Sequence, residues 1–139
     1  MTIRRILATA AVALLASNAH ADTFGLHVAS WHSEPGFNGR NPGAYWRADS
    51  GLTLGAYCNS QSRSTRFPDA PTCKVSTYAG QSFEVGPVTL TAGIITGYAI
   101  GTVPMVIPSV KLGDHLRIAF IPRINPKNSA HTVHAMLEF

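Results

Sequence analysis

Beyond residue 22 the chain repeats one pattern, an exchange of apolar and polar residues at every second position, interrupted by short clusters of turn-forming residues. Phe24, Leu26 and Val28 share one face against Thr23, Gly25 and His27. Val88, Leu90, Ala92 and Ile94 oppose Thr89, Thr91 and Gly93, and Leu116, Ile118 and Phe120 oppose His115, Arg117 and Ala119. A period of two belongs to a β-strand with two unlike faces, and the 3.6-residue period of an amphipathic helix is hard to find here. The pattern predicts an all-β domain.

Turn chemistry bounds eight strands, at about 23–32, 43–48, 51–59, 74–83, 87–97, 104–111, 114–121 and 131–139. Asp49-Ser50, Glu84-Val85-Gly86 and Leu112-Gly113 read as tight turns, alternating with longer connections at 33–42, 60–73, 98–103 and 122–130. Eight is an allowed barrel number, and short turns at one end with long loops at the other are the habit of bacterial outer-membrane barrels. The expectation is an eight-stranded antiparallel up-and-down β-barrel of outer-membrane type. Its last strand sets Val133, Ala135, Leu137 and Phe139 against Thr132, His134, Met136 and Glu138, which suits lipid on one side and a polar lumen on the other. The closing Phe139 also resembles the terminal aromatic signal of such barrels. Alternation alone does not say which face is inside. A periplasmic barrel of lipocalin type, apolar inward around a ligand, is the other solution.

Residues 1–21 read as a secretory signal: Arg4 and Arg5 supply the charged region, Ile6 to Ala16 the apolar run, and Ala19-His20-Ala21 the small residues before cleavage at Asp22. The run stops at Ser17-Asn18, well short of the roughly 20 residues of a membrane-spanning helix. Residues 22–139 are left as a single domain. Export places Cys58 and Cys73 in an oxidising compartment, where they are expected to pair, for about 3 kcal/mol in a loop of this size. No metal site is expected, because neither cysteine has a second ligand at zinc-finger spacing and His131 and His134 lie on opposite strand faces.

The formal net charge of +4 fits nucleic acid in principle, but an exported chain does not normally meet it, so the expected partners are membrane lipids, phospholipid and lipopolysaccharide. Arg40, Arg63, Arg66, Lys74, Arg123 and Lys127 fall in the outer loops or at their edges, and only Lys111 lies near an inner turn. Arginine's fork suits phosphate. Arg40, Arg63, Arg66, Arg123 and Lys127 are therefore read as a lipopolysaccharide-facing collar, with ordinary solubility of long loops as the plainer alternative. No cofactor is implied, and the barrel is read as a monomer.

If odd strands run outward, His32, Asn59, Ser60, Gly97, Tyr98 and Pro122 gather at the outer rim. A hydroxyl beside a neutral imidazole is the minimum equipment for acyl transfer. His32 and Ser60 are the candidates, although the run Asn59 to Arg66 reads from composition as a solvated loop. His27 should face the opposite side of its strand from His32 and act as interior filling. Pro104, Pro108 and Pro122 lie in or beside strands six and seven. Proline donates no ladder bond, so they predict a local gap in pairing near the outer rim, or simply the ends of their strands.

The segments Val103-Pro104-Met105-Val106-Ile107-Pro108-Ser109-Val110, Leu116-Arg117-Ile118-Ala119-Phe120-Ile121-Pro122 and Val133 to Phe139 together resemble the last three strands of the PagP-type lipid A palmitoyltransferases of Gram-negative outer membranes. More faintly, Phe37-Asn38-Gly39-Arg40-Asn41-Pro42-Gly43 resembles that family's first outer loop, and Leu54-Gly55-Ala56-Tyr57-Cys58-Asn59-Ser60 its third strand. The resemblance implies an eight-stranded barrel that moves an acyl chain from phospholipid to lipid A, with sideways entry at the proline-marked gaps. It puts the family's catalytic histidine on His32, its serine on Ser60 and its aspartate on position 59. Here that position is Asn59, which can orient an imidazole or donate to an oxyanion but takes no proton. The family's helix before strand one is missing and the outer loops are shorter. Two readings follow: an acyltransferase-like barrel, and a non-catalytic barrel whose cationic rim binds lipopolysaccharide or an external partner.

Overall fold

The computed structural model describes residues 22–125, 127 and 129–139; the expected signal segment, 1–21, lies outside the described residues. Eight antiparallel strands, each hydrogen-bonded to its sequence neighbours, close into one barrel. They are β1 (Thr23–His32), β2 (Arg40–Arg47), β3 (Leu52–Cys58), β4 (Val75–Val85), β5 (Val88–Tyr98), β6 (Gly101–Leu112), β7 (Leu116–Ile121) and β8 (Thr132–Glu138). The ladder from Gly25↔Glu138 to His32↔Thr132 joins the last strand to the first and removes the sheet's free edges.

The faces sort as the alternation predicts, and their sense is now fixed. Leu26, Leu54, Phe83, Ile94, Val106 and Leu137 are exposed on the outside, while Thr53, Ser76, Ser82, Thr89, Ser109, Arg117, His134 and Glu138 are buried inside. Apolar filling of the interior comes in two clusters, Tyr45 with Ala119 and Met136, and Tyr57 with Ile95 and Met105. An eight-stranded barrel has room for little more than its own side chains. Gly25 and Gly55 supply some of that room: a Cβ on either would fall 2.1 and 2.4 Å from the rings of Tyr45 and Tyr78.

Two expectations require correction. The connection after β5, read as a longer loop over 98–103, is a tight turn at Ala99-Ile100, with Tyr98 paired to Gly101. Gly97 and Gly101 hold φ of +86° and +85°, a left-handed backbone that lets both strands run into the turn. The long loops are therefore 33–39, 59–74 and 122–131, all at one end, opposite the turns at 48–51, 86–87 and 113–115. Second, His27 and His32 do not face opposite ways. Both ladders of β1 slip by one residue between His27 and Ala29, a β-bulge that leaves Val28 as the extra residue. The slip reverses the phase of the strand, so His27, Ser30 and His32 all line the interior cavity.

Cys58 and Cys73 are disulfide-bonded, with Cα atoms 4.9 Å apart, and close the loop between β3 and β4. Replacing both by serine is expected to leave the barrel intact, since no strand lies within that loop, and to cost about 3 kcal/mol of stability. Urea unfolding of the purified protein, read by tryptophan fluorescence, checks this; an unchanged midpoint contradicts it.

Candidate functional site

The lumen holds a cavity of about 270 Å³ that is lined at the short-turn end by Arg47 and Arg117, the edge of a charged floor. The floor is built on Glu138, 1% exposed, the last residue of β8, paired with Gly25. Its Oε1 accepts from Arg117 Nε at 2.6 Å and Tyr45 Oη at 2.5 Å, and lies 3.3 Å from Arg47 Nη2. Arg117 Nη1 donates to Thr89 Oγ1 at 2.8 Å and Ser109 Oγ at 3.0 Å. Lys111 Nζ stands 4.0 Å from Oε2. This cluster ties β2, β5, β6, β7 and β8 across the barrel. Sequence reasoning noted Arg117 and Glu138 only as members of polar faces; nothing in a one-dimensional pattern says that they meet.

Above the floor, aromatic and imidazole rings fill the middle of the lumen. His27 Nδ1 lies 2.8 Å from His134 Nε2, and its Nε2 lies 3.0 Å from Tyr78 Oη. Between the two imidazoles one nitrogen must be bare to accept. Tyr57 and Tyr98 join hydroxyls at 2.7 Å. Packed around these rings, the cavity wall also carries apolar side chains: Ile95, Val103, Met105 and Ile107 from β5 and β6, and Ala119 and Ile121 from β7.

His32 and Ser60 both line this cavity at its long-loop end. The His32 ring stacks on Phe37, centroids 5.3 Å apart, and its Nε2 lies 3.4 Å from Ser30 Oγ. No hydrogen bond joins His32 to Ser60 among the described residues; Ser60's carbonyl accepts from Asn38 N at 3.0 Å. Asn59, wholly buried, turns elsewhere. Its Nδ2 donates to Ser76 Oγ at 2.9 Å and Gly97 O at 3.0 Å, and its Oδ1 accepts from Gln61 N at 2.9 Å. That geometry pins the start of the 59–74 loop onto β4 and β5. Asn41, which the sequence reading passed over, is the buried amide on the His32 side.

The prolines mark an interruption in the sheet. Pro104 and Pro108 keep their places in the β5 ladder, opposite Ile94 and Leu90. On the other side, β6 pairs with β7 only from Leu112↔Leu116 to Ser109↔Ala119. Beyond that point Phe120 and Ile121 pair with β8 alone. Pro104 and Pro122 line the cavity where the two strands part. A second apolar recess of about 210 Å³, lined by Pro108, Ala119, Phe120 and Val133 among others, lies along the same seam and shares Ala119 with the cavity.

The cationic candidates gather at the long-loop end. Arg40, Arg63, Arg66 and Lys127 are exposed, and Arg123 is half-buried with Nη1 3.4 Å from Glu34. Arg66 stands over the Phe37 ring at 4.8 Å and donates to Lys127 O at 2.7 Å, so it stitches three loops together. Arg63 Nε donates to Ala70 O at 3.1 Å. Among the described residues no group of three or more metal-ligating side chains is suited to an ion. In comparisons with known proteins, no family model and no curated protein matches the chain.

Removing the floor carboxylate, 1% exposed, strands two guanidinium groups, of which Arg117's is buried. Glu138→Ala is expected to cost about 3 kcal/mol, and Glu138→Gln less, because an amide oxygen still accepts from Arg117 and Tyr45. Chemical unfolding measures both; equal losses for the two variants contradict the contribution assigned to the acceptor oxygen.

Proposed function

We propose that this chain is an outer-membrane β-barrel that moves an acyl chain from a phospholipid to a lipid A-type acceptor, with His32 and Ser60 at its outer rim. The observation that carries the reading is the inverted barrel: aliphatic side chains outside, hydroxyls, imidazoles and charges inside. Soluble monomers rarely expose contiguous apolar patches beyond a few hundred Å², and here the patch encircles the molecule. Aromatic side chains flank it, Trp31 and Phe120 toward the long loops and Trp46, Phe83 and Phe139 toward the short turns, as membrane-interface girdles do.

Within that setting the β6–β7 seam, flanked by Ile107, Ala119 and Ile121, is an entry from hydrocarbon into the cavity. An ester whose tail lies there presents its carbonyl at the rim. His32 takes the proton of the acceptor hydroxyl as its oxygen attacks the carbonyl carbon, and returns it to the departing lysophospholipid oxygen. Ser60's hydroxyl is the donor available to the developing oxyanion. Asn59 holds the loop that carries Ser60. The resemblance of the prolines and strand ends to the lipid A palmitoyltransferases supports the same reading.

A second reading is favoured by two observations: among the described residues no carboxylate bonds to His32, and Asn59's amide is spent on the loop. In that reading the barrel is non-catalytic, and Arg40, Arg63, Arg66, Arg123 and Lys127 bind lipopolysaccharide phosphates.

The two separate in one experiment. Expression in a Gram-negative host is expected to raise the mass of a share of lipid A by one acyl chain, and His32→Ala to abolish the shift. Unchanged lipid A, with the barrel folded in the outer membrane, sinks the enzyme and leaves the collar. The membrane setting has its own test. Ile94, exposed in the middle of β5, should cost about 2–4 kcal/mol when changed to Arg in liposomes. A near-neutral result at that position contradicts burial in lipid.

A further inference from the structure

We infer that Asn41 and Ser30 fix which nitrogen of His32 carries its proton, leaving Nδ1 as the basic atom and withdrawing Ser30 from any nucleophilic role. The inference rests on the proposed acyl transfer for its purpose, though not for its geometry.

One partner in this array has a role beyond choice. Asn41 Nδ2 lies 2.9 Å from the carbonyl oxygen of Cys58. A carbonyl only accepts, so the NH₂ side of the amide must face it and the oxygen side must face the other way. That oxygen, Oδ1, meets Ser30 Oγ. An amide oxygen also only accepts, so the single proton of the Ser30 hydroxyl is committed to Asn41. What remains on Ser30 Oγ is lone pairs. His32 Nε2, 3.4 Å away, can then meet it favourably only as an N–H donor. A neutral imidazole carries one such proton, so Nδ1 is bare. Among the described residues no hydrogen bond reaches Nδ1.

The surroundings hold this order in place. Asn41 is 1% exposed, which keeps water from competing for its amide. Phe37 stacks on the imidazole and restrains its plane. The nearby imidazole of His134, whose strand pairs Ser30 with it, is engaged by His27. The bulge at Val28 is what brings Ser30 and His32 onto the lumen face together. Ser30 thus acts as a positioning residue for His32: with its own proton given to Asn41, it has none for the imidazole to withdraw. Of the two serines that line the cavity on this side, Ser30 and Ser60, Ser60 is the one left for chemistry.

The test reads the tautomer directly. The full chain, labelled with ¹⁵N-histidine and held in detergent micelles above the imidazole titration range, gives two-bond ¹H–¹⁵N correlations that distinguish Nε2–H from Nδ1–H; His32→Gln identifies the His32 signals. Wild type is expected to show Nε2–H at His32. Ser30→Ala should give a mixture of both forms, and Ser30→Thr, which keeps the hydroxyl, should restore the single form. Asn41→Leu frees the Ser30 proton and should move the population toward Nδ1–H. An Nδ1–H form in wild type, or an unchanged tautomer in Ser30→Ala, overturns the inference. Where wild type acylates lipid A, Ser30→Ala should lower kcat roughly tenfold with KM little changed, and Ser30→Thr recover it. Nε2–H in a wild type that does not acylate supports the positioning array and removes the reaction proposed for it.

Discussion

The constraint on which everything else depends is closure with an inverted polarity. Once β8 pairs with β1, every backbone ladder is internal and each strand has one face toward a lumen about one side chain wide. The polar residues of all eight strands are then driven together, and they must satisfy one another there. Glu138 illustrates the stakes: a carboxylate that meets two guanidiniums and a phenol on a single oxygen is stable in that lumen only because its partners arrive from two other strands, β2 and β7. The same closure leaves the aliphatic faces with no partner inside the molecule.

The site follows from two departures from regularity within this frame. A regular β1 would send His32 outward if His27 pointed inward. The one-residue slip at Val28 puts both inside, joins His27 to the ring stack in the middle of the lumen and brings Ser30 under His32. The second departure lies across the barrel, where prolines in β6 fit the ladder to β5 while β6 and β7 lose contact above Ser109 and Ala119. Together they bring His32 onto the cavity and leave β6 and β7 unpaired beside it.

Much of this architecture was legible from one-dimensional pattern, because period-two alternation is a strong signal when all eight strands share it. Strand number, order and the position of most turns can be read from it. The sense of the faces could not, since alternation is symmetric under exchange of inside and outside. The bulge was invisible as well: Val28-Ala29 contains neither glycine nor proline, and slipped pairing is a property of three strands at once. At Gly97-Tyr98 and Gly101 the reverse occurred. Residues that look like a loop by composition are the ones that allow a tight turn. Asn59 was found by position but its contacts were not, because Ser76 and Gly97 come from strands distant in sequence. Asn41 was hidden for the same reason.

The central claim, that the aliphatic outer face meets hydrocarbon, is tested most directly by nitroxide spin labels placed one at a time at Leu54, Ile94 and Val106 and at their inward neighbours Thr53 and Ile95 in reconstituted liposomes. Collision rates with oxygen, which concentrates in lipid, and with a water-soluble nickel chelate report each label's surroundings. The account predicts high oxygen and low nickel accessibility at Leu54, Ile94 and Val106, with low oxygen accessibility at Thr53 and Ile95. Nickel accessibility at the three outward positions equal to that of the exposed loop residue Arg63 would contradict it.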